Sequence, residues 1–271
     1  MRKSKPGSYS RVKKILMTIF FLQIVLFSHT QTEYTDTVFF NIFFEEEGNG
    51  YSYRYKGKPQ HISPNKYRLI LLDMKGIKIA SAEYRKKLDN KDGPFIIYDS
   101  SGNTRMKCNF RDNYIEGIVQ VWHENGQPAD SGAAKRNIKT GTWKSWYYNG
   151  KMFELKNYIP RMEGNHQYLH GAPVIRGNFF RPSGLITEGF LTGAYLSWYP
   201  DGRLKDSGYY HKGSRNGIWI EWLEEGTVRF TGLYKKGKRQ GDWKLYDLNG
   251  RLLYVIRYKK NGAEEVMRIK R

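Results

Sequence analysis

The sequence predicts an all-β fold, an elongated single antiparallel sheet of stacked β-hairpins of about 24 residues each. Segments bounded by glycine recur at that spacing, and most place a turn dipeptide such as Asn-Gly or Asp-Gly between two strand-like runs. The composition agrees, because 28 glycines supply turn positions and 15% aromatic residues bury more apolar surface than a disordered chain. The 271 residues are therefore expected to fold into a repeat array.

Residues 1–32 are predicted to be a signal peptide that stands apart from the repeats. Basic residues precede an apolar run at positions 15–27, which is the order found in a secretory signal. As a helix that run spans about 20 Å, less than the ~30 Å hydrocarbon layer of a membrane. We therefore expect cleavage near residue 30 and export to the periplasm, the outer membrane or the cell exterior. An uncleaved anchor is the alternative.

Residues 33–66 are predicted to form an N-terminal β cap. They contain a very apolar stretch at positions 38–44. The end of a stacked array needs such a cover, because the first repeat has no neighbour on one side.

The first block of repeats is expected at residues 67–163. Units begin at Gly93, Gly117 and Gly141, and a worn unit covers residues 67–76. An aromatic residue follows the closing glycine of most units by eight residues, at Phe110, Tyr158, Tyr210, Tyr234 and Tyr258. Because a lone hairpin cannot bury its apolar face, the units must stack edge to edge, and eight of them would extend about 75 Å.

The second block is expected at residues 193–262, with units that begin at Gly193, Gly217 and Gly241. The 52-residue gap between Gly141 and Gly193 exceeds the repeat length. It predicts a degenerate repeat plus an insertion at residues 164–192. Residues 263–271 are expected to be a basic C-terminal tail.

Tryptophans recur at two repeat positions. One column contains Trp143, Trp219 and Trp243, and the other contains Trp122, Trp146, Trp198 and Trp222. Since the two positions differ by three residues, strand alternation places them on opposite faces unless a bulge intervenes. Gly132, Gly208 and Gly232 share a position at which the missing side chain leaves room for a ring. The second column is the candidate aromatic face, either core packing or a surface for sugar stacking or cation–π contacts.

The last units carry a family resemblance. Residues 210–219 and 234–243 share the pattern Tyr-x-x-Gly-x-x-x-Gly-x-Trp. This pattern resembles MORN repeats, and its continuation is similar to the bacterial MORN-repeat variant family, whose members include antitoxin-like proteins. The first units depart from the pattern, with Phe95 and Val119 in place of tryptophan. The resemblance implies one long sheet with a binding or scaffolding role and no catalysis.

Basic residues recur just after the aromatic residue of the second strand. The candidate basic edge contains Arg111, Lys135, Arg136, Lys212, Lys235, Lys236, Lys259 and Lys260. Stacking places one basic step about every 10 Å along the sheet, close to the screening length at 0.1 M salt. This edge predicts a surface for a polyanion or for lipid headgroups, or alternatively solvated tips that protect an open sheet from aggregation.

The sequence predicts no catalytic residues, no cofactor and no metal site. The single cysteine, Cys108, excludes an intrachain disulfide framework. We expect an exported, non-catalytic binding or scaffolding module at the cell envelope, with a protein or an anionic envelope component as its partner. A membrane surface is a possible site, whereas nucleic acid is not expected because the leader directs the chain away from it. The alternatives are a glycan- or choline-type wall-binding protein and an antitoxin or immunity-like protein. The sequence leaves the oligomeric state open.

Overall fold

The computed structural model describes residues 38–40, 54–85, 88, 90–160, 174–176, 179–181, 186–259 and 264–268. The predicted leader and Lys260 lie outside these residues. The secondary structure of the described part is all-β, with these strands: β1 (Val38–Phe40), β2 (Tyr55–Ser63), β3 (Lys66–Asp73), β4 (Lys78–Arg85), β5 (Lys91–Tyr98), β6 (Thr104–Arg111), β7 (Tyr114–Ile115), β8 (Gly117–Trp122), β9 (Pro128–Lys135), β10 (Ile138–Trp146), β11 (Met152–Ile159), β12 (Val174–Arg176), β13 (Phe179–Arg181), β14 (Phe190–Leu191), β15 (Gly193–Trp198), β16 (Leu204–His211), β17 (Ser214–Arg215), β18 (Gly217–Trp222), β19 (Val228–Lys235), β20 (Lys238–Tyr246), β21 (Leu252–Tyr258) and β22 (Glu264–Arg268).

Twenty of these strands form one open antiparallel sheet, which confirms the predicted fold class. Successive strands pair as hairpins from β1 and β2 at one end to β21 and β22 at the other. The predicted cap therefore contributes β1 and β2 to the sheet, and the predicted C-terminal tail contributes the last strand, β22. Strands β12 and β13 form a separate two-stranded sheet. In the described part of the chain no helix is long and apolar enough to cross a membrane.

The predicted turns close each hairpin at one edge of the sheet, which we call the glycine edge. In the loop of β10–β11, the Tyr147 amide donates to the Lys151 carbonyl at 2.8 Å and the Gly150 amide donates to the Tyr147 carbonyl at 2.9 Å. Gly150 has φ +80°. Such a three-residue loop needs its last residue in the left-handed region, which glycine adopts without steric cost.

From β3–β4 to β20–β21, each hairpin that turns at the glycine edge carries a β-bulge near that turn. In β18–β19, Glu221 pairs with Phe230 but Trp222 pairs with Val228, so Arg229 is the extra residue. The bulge lies on the second strand, so side chains of the first strand continue to alternate between the two faces of the sheet. Trp219 and Trp222 therefore lie on opposite faces, as the sequence predicted in the absence of a bulge on their own strand. We call the face that carries Trp219 the ring face.

The segment at residues 164–192, where a degenerate repeat plus an insertion is expected, is described only at residues 174–176, 179–181 and 186–192. Strand β11 pairs directly with β15 and with the short β14. One 24-residue step and a further 28 residues separate Gly141 from Gly193. At the described end of this segment, the Thr187 amide donates to the Asn137 carbonyl at 2.7 Å and Ile186 is buried.

The core lies on the ring face. In the first block it is almost fully buried, with Tyr67, Leu69, Tyr84, Phe95 and Ile97 each at most 1% exposed. A second buried cluster in the last units contains Trp219, Tyr234 and Trp243. The ring face is thus more exposed in the second block.

A size rule governs neighbouring positions of this core. Tryptophan rings lie over glycine, as Trp243 does over Gly232, where an added Cβ would meet the ring at 2.3 Å. In the first block Phe95 pairs with Ala82 at the corresponding positions. A larger residue on one strand is therefore matched by a smaller one on its neighbour, which keeps the packed volume similar from unit to unit.

Candidate functional site

The tryptophans of the ring face are fixed by two contacts each. The indole ring covers the glycine of the preceding strand, at Gly132, Gly208 and Gly232. The indole Nε1 then donates to a backbone carbonyl, for example from Trp143 to Ala133 at 2.8 Å and from Trp243 to Leu233 at 3.1 Å. The sequence prediction that these glycines make room for a ring is confirmed.

An aromatic ladder runs across the second block on this face. Adjacent rings meet edge to face, with 5.8 Å between the Trp219 and Tyr234 centroids and 4.8 Å between Tyr234 and Trp243. The ladder contains Tyr195, Tyr210, Trp219, Tyr234, Trp243 and Tyr258. These quadrupole-matched contacts make the ladder a rigid support.

Cations lie over the ladder. The guanidinium carbon of Arg215 is 4.3 Å from the Trp219 centroid, and that of Arg239 is 4.5 Å from the Trp243 centroid. Lys139 holds the same position over Trp143, at 4.3 Å. We call Arg215 and Arg239 the ring-held arginines. Sequence reasoning missed them, although a cation four residues ahead of each tryptophan was the available signal.

The tyrosines of the ladder also bind the ring-held arginines. Arg215 donates from Nη1 to the Tyr234 hydroxyl at 3.2 Å, and Arg239 donates from Nη1 to the Tyr258 hydroxyl at 2.9 Å. Burial opposes ionisation of Tyr234, but hydrogen bonds from Arg239 and Arg215 outweigh it and lower the pKa of the phenol. The Tyr234 hydroxyl therefore sits in a positive local field.

The candidate basic edge lies at the edge of the sheet opposite the glycine edge. All of its described members are exposed: Arg111, Lys135, Arg136, Lys212, Lys235, Lys236 and Lys259. Their turns are shorter than those of the glycine edge. Two residues with positive φ connect β9 to β10, β16 to β17 and β19 to β20.

Basic residues occupy the first position of these turns. The backbone there is left-handed, which is unfavourable for a residue with a long side chain. Arg136, Lys212 and Lys236 have φ of 49°, 46° and 50°. For a residue with a long side chain the left-handed region costs roughly 1–2 kcal/mol, and Gly or Asn would cost less. Backbone strain of this kind is concentrated at functional sites.

The charge of the basic edge differs between the two blocks. In the first block Arg85 lies 3.3 Å from Asp92 and 2.7 Å from Asp112, so acids neutralise part of the edge. At the repeat position of Asp112 the second block has Lys212 and Lys236. Arg136 holds the same position in the first block, so the net charge of the turns is least positive in the first units.

The candidate aromatic face lies on the side opposite the ring face. Its four members are all half-buried: Trp122, Trp146, Trp198 and Trp222. Next to Trp222 a shallow open groove is lined by Ile220, Val228, Thr231, Tyr246 and Gly250. This groove offers apolar and aromatic surface but few polar groups.

A row of carboxylates and hydroxyls crosses the ring face between the two blocks, and sequence reasoning missed it. Strand register aligns Asp130, Ser145, Glu154, Ser197 and Asp206 side by side. Two of its acids contact hydroxyls, since Ser145 donates to Asp130 at 3.0 Å and Ser197 donates to Asp206 at 2.7 Å.

Lysines beside the row neutralise two of its carboxylates. Burial raises the pKa of Asp130, and Lys139, 3.6 Å away, opposes that shift. Lys156 lies 2.5 Å from Glu154. Among the described residues no cluster of His, Cys, Asp and Glu is placed to hold a metal ion.

Comparison with known families identifies two of the hairpins. A family model described as a MORN repeat variant matches residues 139–159 and 239–260. The matched segments are the hairpins β10–β11 and β20–β21, which carry Trp143 and Trp243. No curated protein matches the chain. The chain therefore carries MORN-type repeats at these two hairpins.

Proposed function

We propose that this MORN-repeat protein is exported and acts as a non-catalytic binding module that holds an anionic component of the cell envelope along its basic edge. MORN repeats are generally binding or scaffolding modules, which supports the coarse role. The order of basic and apolar residues in the leader supports export.

The observation that carries the proposal is the left-handed conformation of Lys212 and Lys236 at the tips of the basic edge. Folding alone favours Asn or Gly at these positions, because a long side chain there raises the energy of the native state. Basic side chains held in spite of that cost are best explained by a ligand that needs their charge.

Binding to isolated cell envelopes tests the proposal. We expect the mature chain to bind at low ionic strength and to lose about tenfold or more in affinity at moderate ionic strength. Binding releases counterions from the anionic ligand, and added salt reduces the free energy gained from that release. The affinity is measured by co-sedimentation over a salt series. An absence of binding at low salt would contradict the proposal, and so would an affinity that salt leaves unchanged.

A glycan ligand is the second candidate, supported by the groove beside Trp222. Sugar stacking on an aromatic ring depends little on salt. In the same co-sedimentation series, salt-independent binding that is lost in Trp198→Ala and Trp222→Ala would therefore identify a glycan instead of an anion.

A further inference from the structure

Two sets of cations run side by side along the basic edge of the second block. The turn set contains Lys212, Lys235, Lys236 and Lys259, which are all exposed. The ring-held arginines, Arg215 and Arg239, form the other set and lie on the ring face. Each of the last two complete units thus presents turn lysines beside one fixed guanidinium group.

The orientation of the ring-held arginines suits them to bind an anion. Stacking on tryptophan and a hydrogen bond to tyrosine fix each guanidinium plane, so little side-chain entropy remains to be lost on binding. A guanidinium has five N–H donors, and the recorded tyrosine contacts use only part of them. The remaining donors suit the paired oxygens of a phosphate or sulfate group.

In the part of the chain that the structure describes, most cations of this part of the edge lack an acidic partner. Within the described strands Lys212, Arg215, Lys235, Lys236, Lys238 and Arg239 form no ion pair with a carboxylate. Lys259, next to the last strand, lies 3.6 Å from Glu265. The repeat position just before the opening glycine explains the contrast between blocks, because it holds Asp92 and Glu116 in the first block and Asn216 and Gln240 in the second.

The stacking of units sets the spacing of these cations. Two strands separate Arg215 from Arg239, so the same group recurs about every 10 Å along a line. A flat lipid surface would meet the turn tips, whereas the ring-held arginines lie on the ring face behind them. A chain that runs across the strands meets both sets in every unit.

We propose that the edge of the second block binds a linear polymer that carries phosphate or sulfate groups, with each anionic group held by the turn lysines and the ring-held arginine of one unit. This inference rests on the proposed function and names the ligand class. The polymer lies across the strands and spans successive units, so its affinity grows with chain length.

Matched variants test the placement of this site. Lys235→Gln with Lys236→Asn removes two charges from the second block, and Lys135→Gln with Arg136→Asn removes two from the same repeat positions of the first. Asn suits the left-handed turn, where Arg136 and Lys236 have nearly the same φ. The probes are long and short chains of inorganic polyphosphate, a sulfated glycan, and phosphatidylcholine vesicles with and without phosphatidylglycerol.

We expect the second-block variant to bind long polyphosphate about tenfold more weakly, and the first-block variant to stay within about twofold of the parent chain. Short chains should bind more weakly than long ones. Both variants should unfold at or above the temperature of the parent chain, which separates lost binding from lost folding. Equal loss in both variants would overturn the inference, and so would affinity that is independent of chain length.

The ring-held arginines are tested with the charge retained. Arg215→Lys with Arg239→Lys keeps two cations, and Lys139 over Trp143 shows that the fold accepts lysine at this position. We expect several-fold weaker binding of polyphosphate with an unchanged salt dependence, because lysine lacks the paired donors. Unchanged affinity would show that these arginines do not touch the ligand.

The vesicle arm separates this inference from the proposed function. Binding to phosphatidylglycerol vesicles without binding to polyphosphate or the sulfated glycan would identify a lipid surface as the ligand. It would overturn the inference that the ligand is a linear polymer. Binding to cell envelopes without binding to either polymer would leave the proposed function standing and overturn this inference alone.

Discussion

Gly232→Ala is expected to lower the free energy of unfolding by about 3 kcal/mol, a large effect for the addition of one methyl group. The new Cβ would lie 2.3 Å from the Trp243 ring, far inside van der Waals contact. The ring is held between the strand below and Arg239 above, so it cannot simply move aside. Urea unfolding monitored by tryptophan fluorescence measures the change.

The double variant Gly232→Ala with Trp243→Phe provides the control. It recreates the pair that the first block already uses, Ala82 with Phe95. We expect it to be more stable than Gly232→Ala alone, because the smaller ring makes room for the methyl group. If the two substitutions instead add independently, the size rule for neighbouring core positions is wrong.

Phe95→Ala is expected to destabilise the protein by about 3–5 kcal/mol. Phe95 is 1% exposed and packs edge to face on Phe110 with 5.1 Å between centroids. Its removal leaves a cavity in the most deeply buried part of the ring face. Circular dichroism over a urea series gives the unfolding free energy.

Ile118→Ala is the matched control for that substitution. Ile118 lies in the next hairpin, in strand β8, but is 59% exposed on the opposite face. We expect a change within about 0.5 kcal/mol, as for most surface positions. A large loss at Ile118, or a small one at Phe95, would show that the core lies on the other face.

The repeat period made most of this fold predictable. Spacing alone located the glycine-edge turns, because only glycine fits their left-handed position without strain, as at Gly150. The pairing of Gly232 with Trp243 was also predictable, since a missing side chain and a large ring recur in fixed phase. Both features are local and recur in many units, so the pattern is too regular to arise by chance.

The path of the chain between the blocks was not predictable. The gap between Gly141 and Gly193 suggested a hidden repeat, but β11 pairs directly with β15. Length cannot distinguish a repeat that has lost its sequence pattern from a loop that leaves the sheet.

The candidate site was predicted in part. The basic edge followed from the phase of Lys212 and Lys236, and the structure places both at exposed turns. The ring-held arginines were missed because their role depends on a two-residue turn that folds each one back over a tryptophan. The row that joins Asp130 to Asp206 was missed because its members come together only through strand register.

Small-angle X-ray scattering of the protein tests the central claim, that stacked hairpins form one extended sheet. At about 4.8 Å per strand, the succession of paired strands predicts a longest dimension on the order of 75 Å. A compact globule of this length would measure about 45 Å across. A value near 75 Å supports the account, and a value near 45 Å contradicts it.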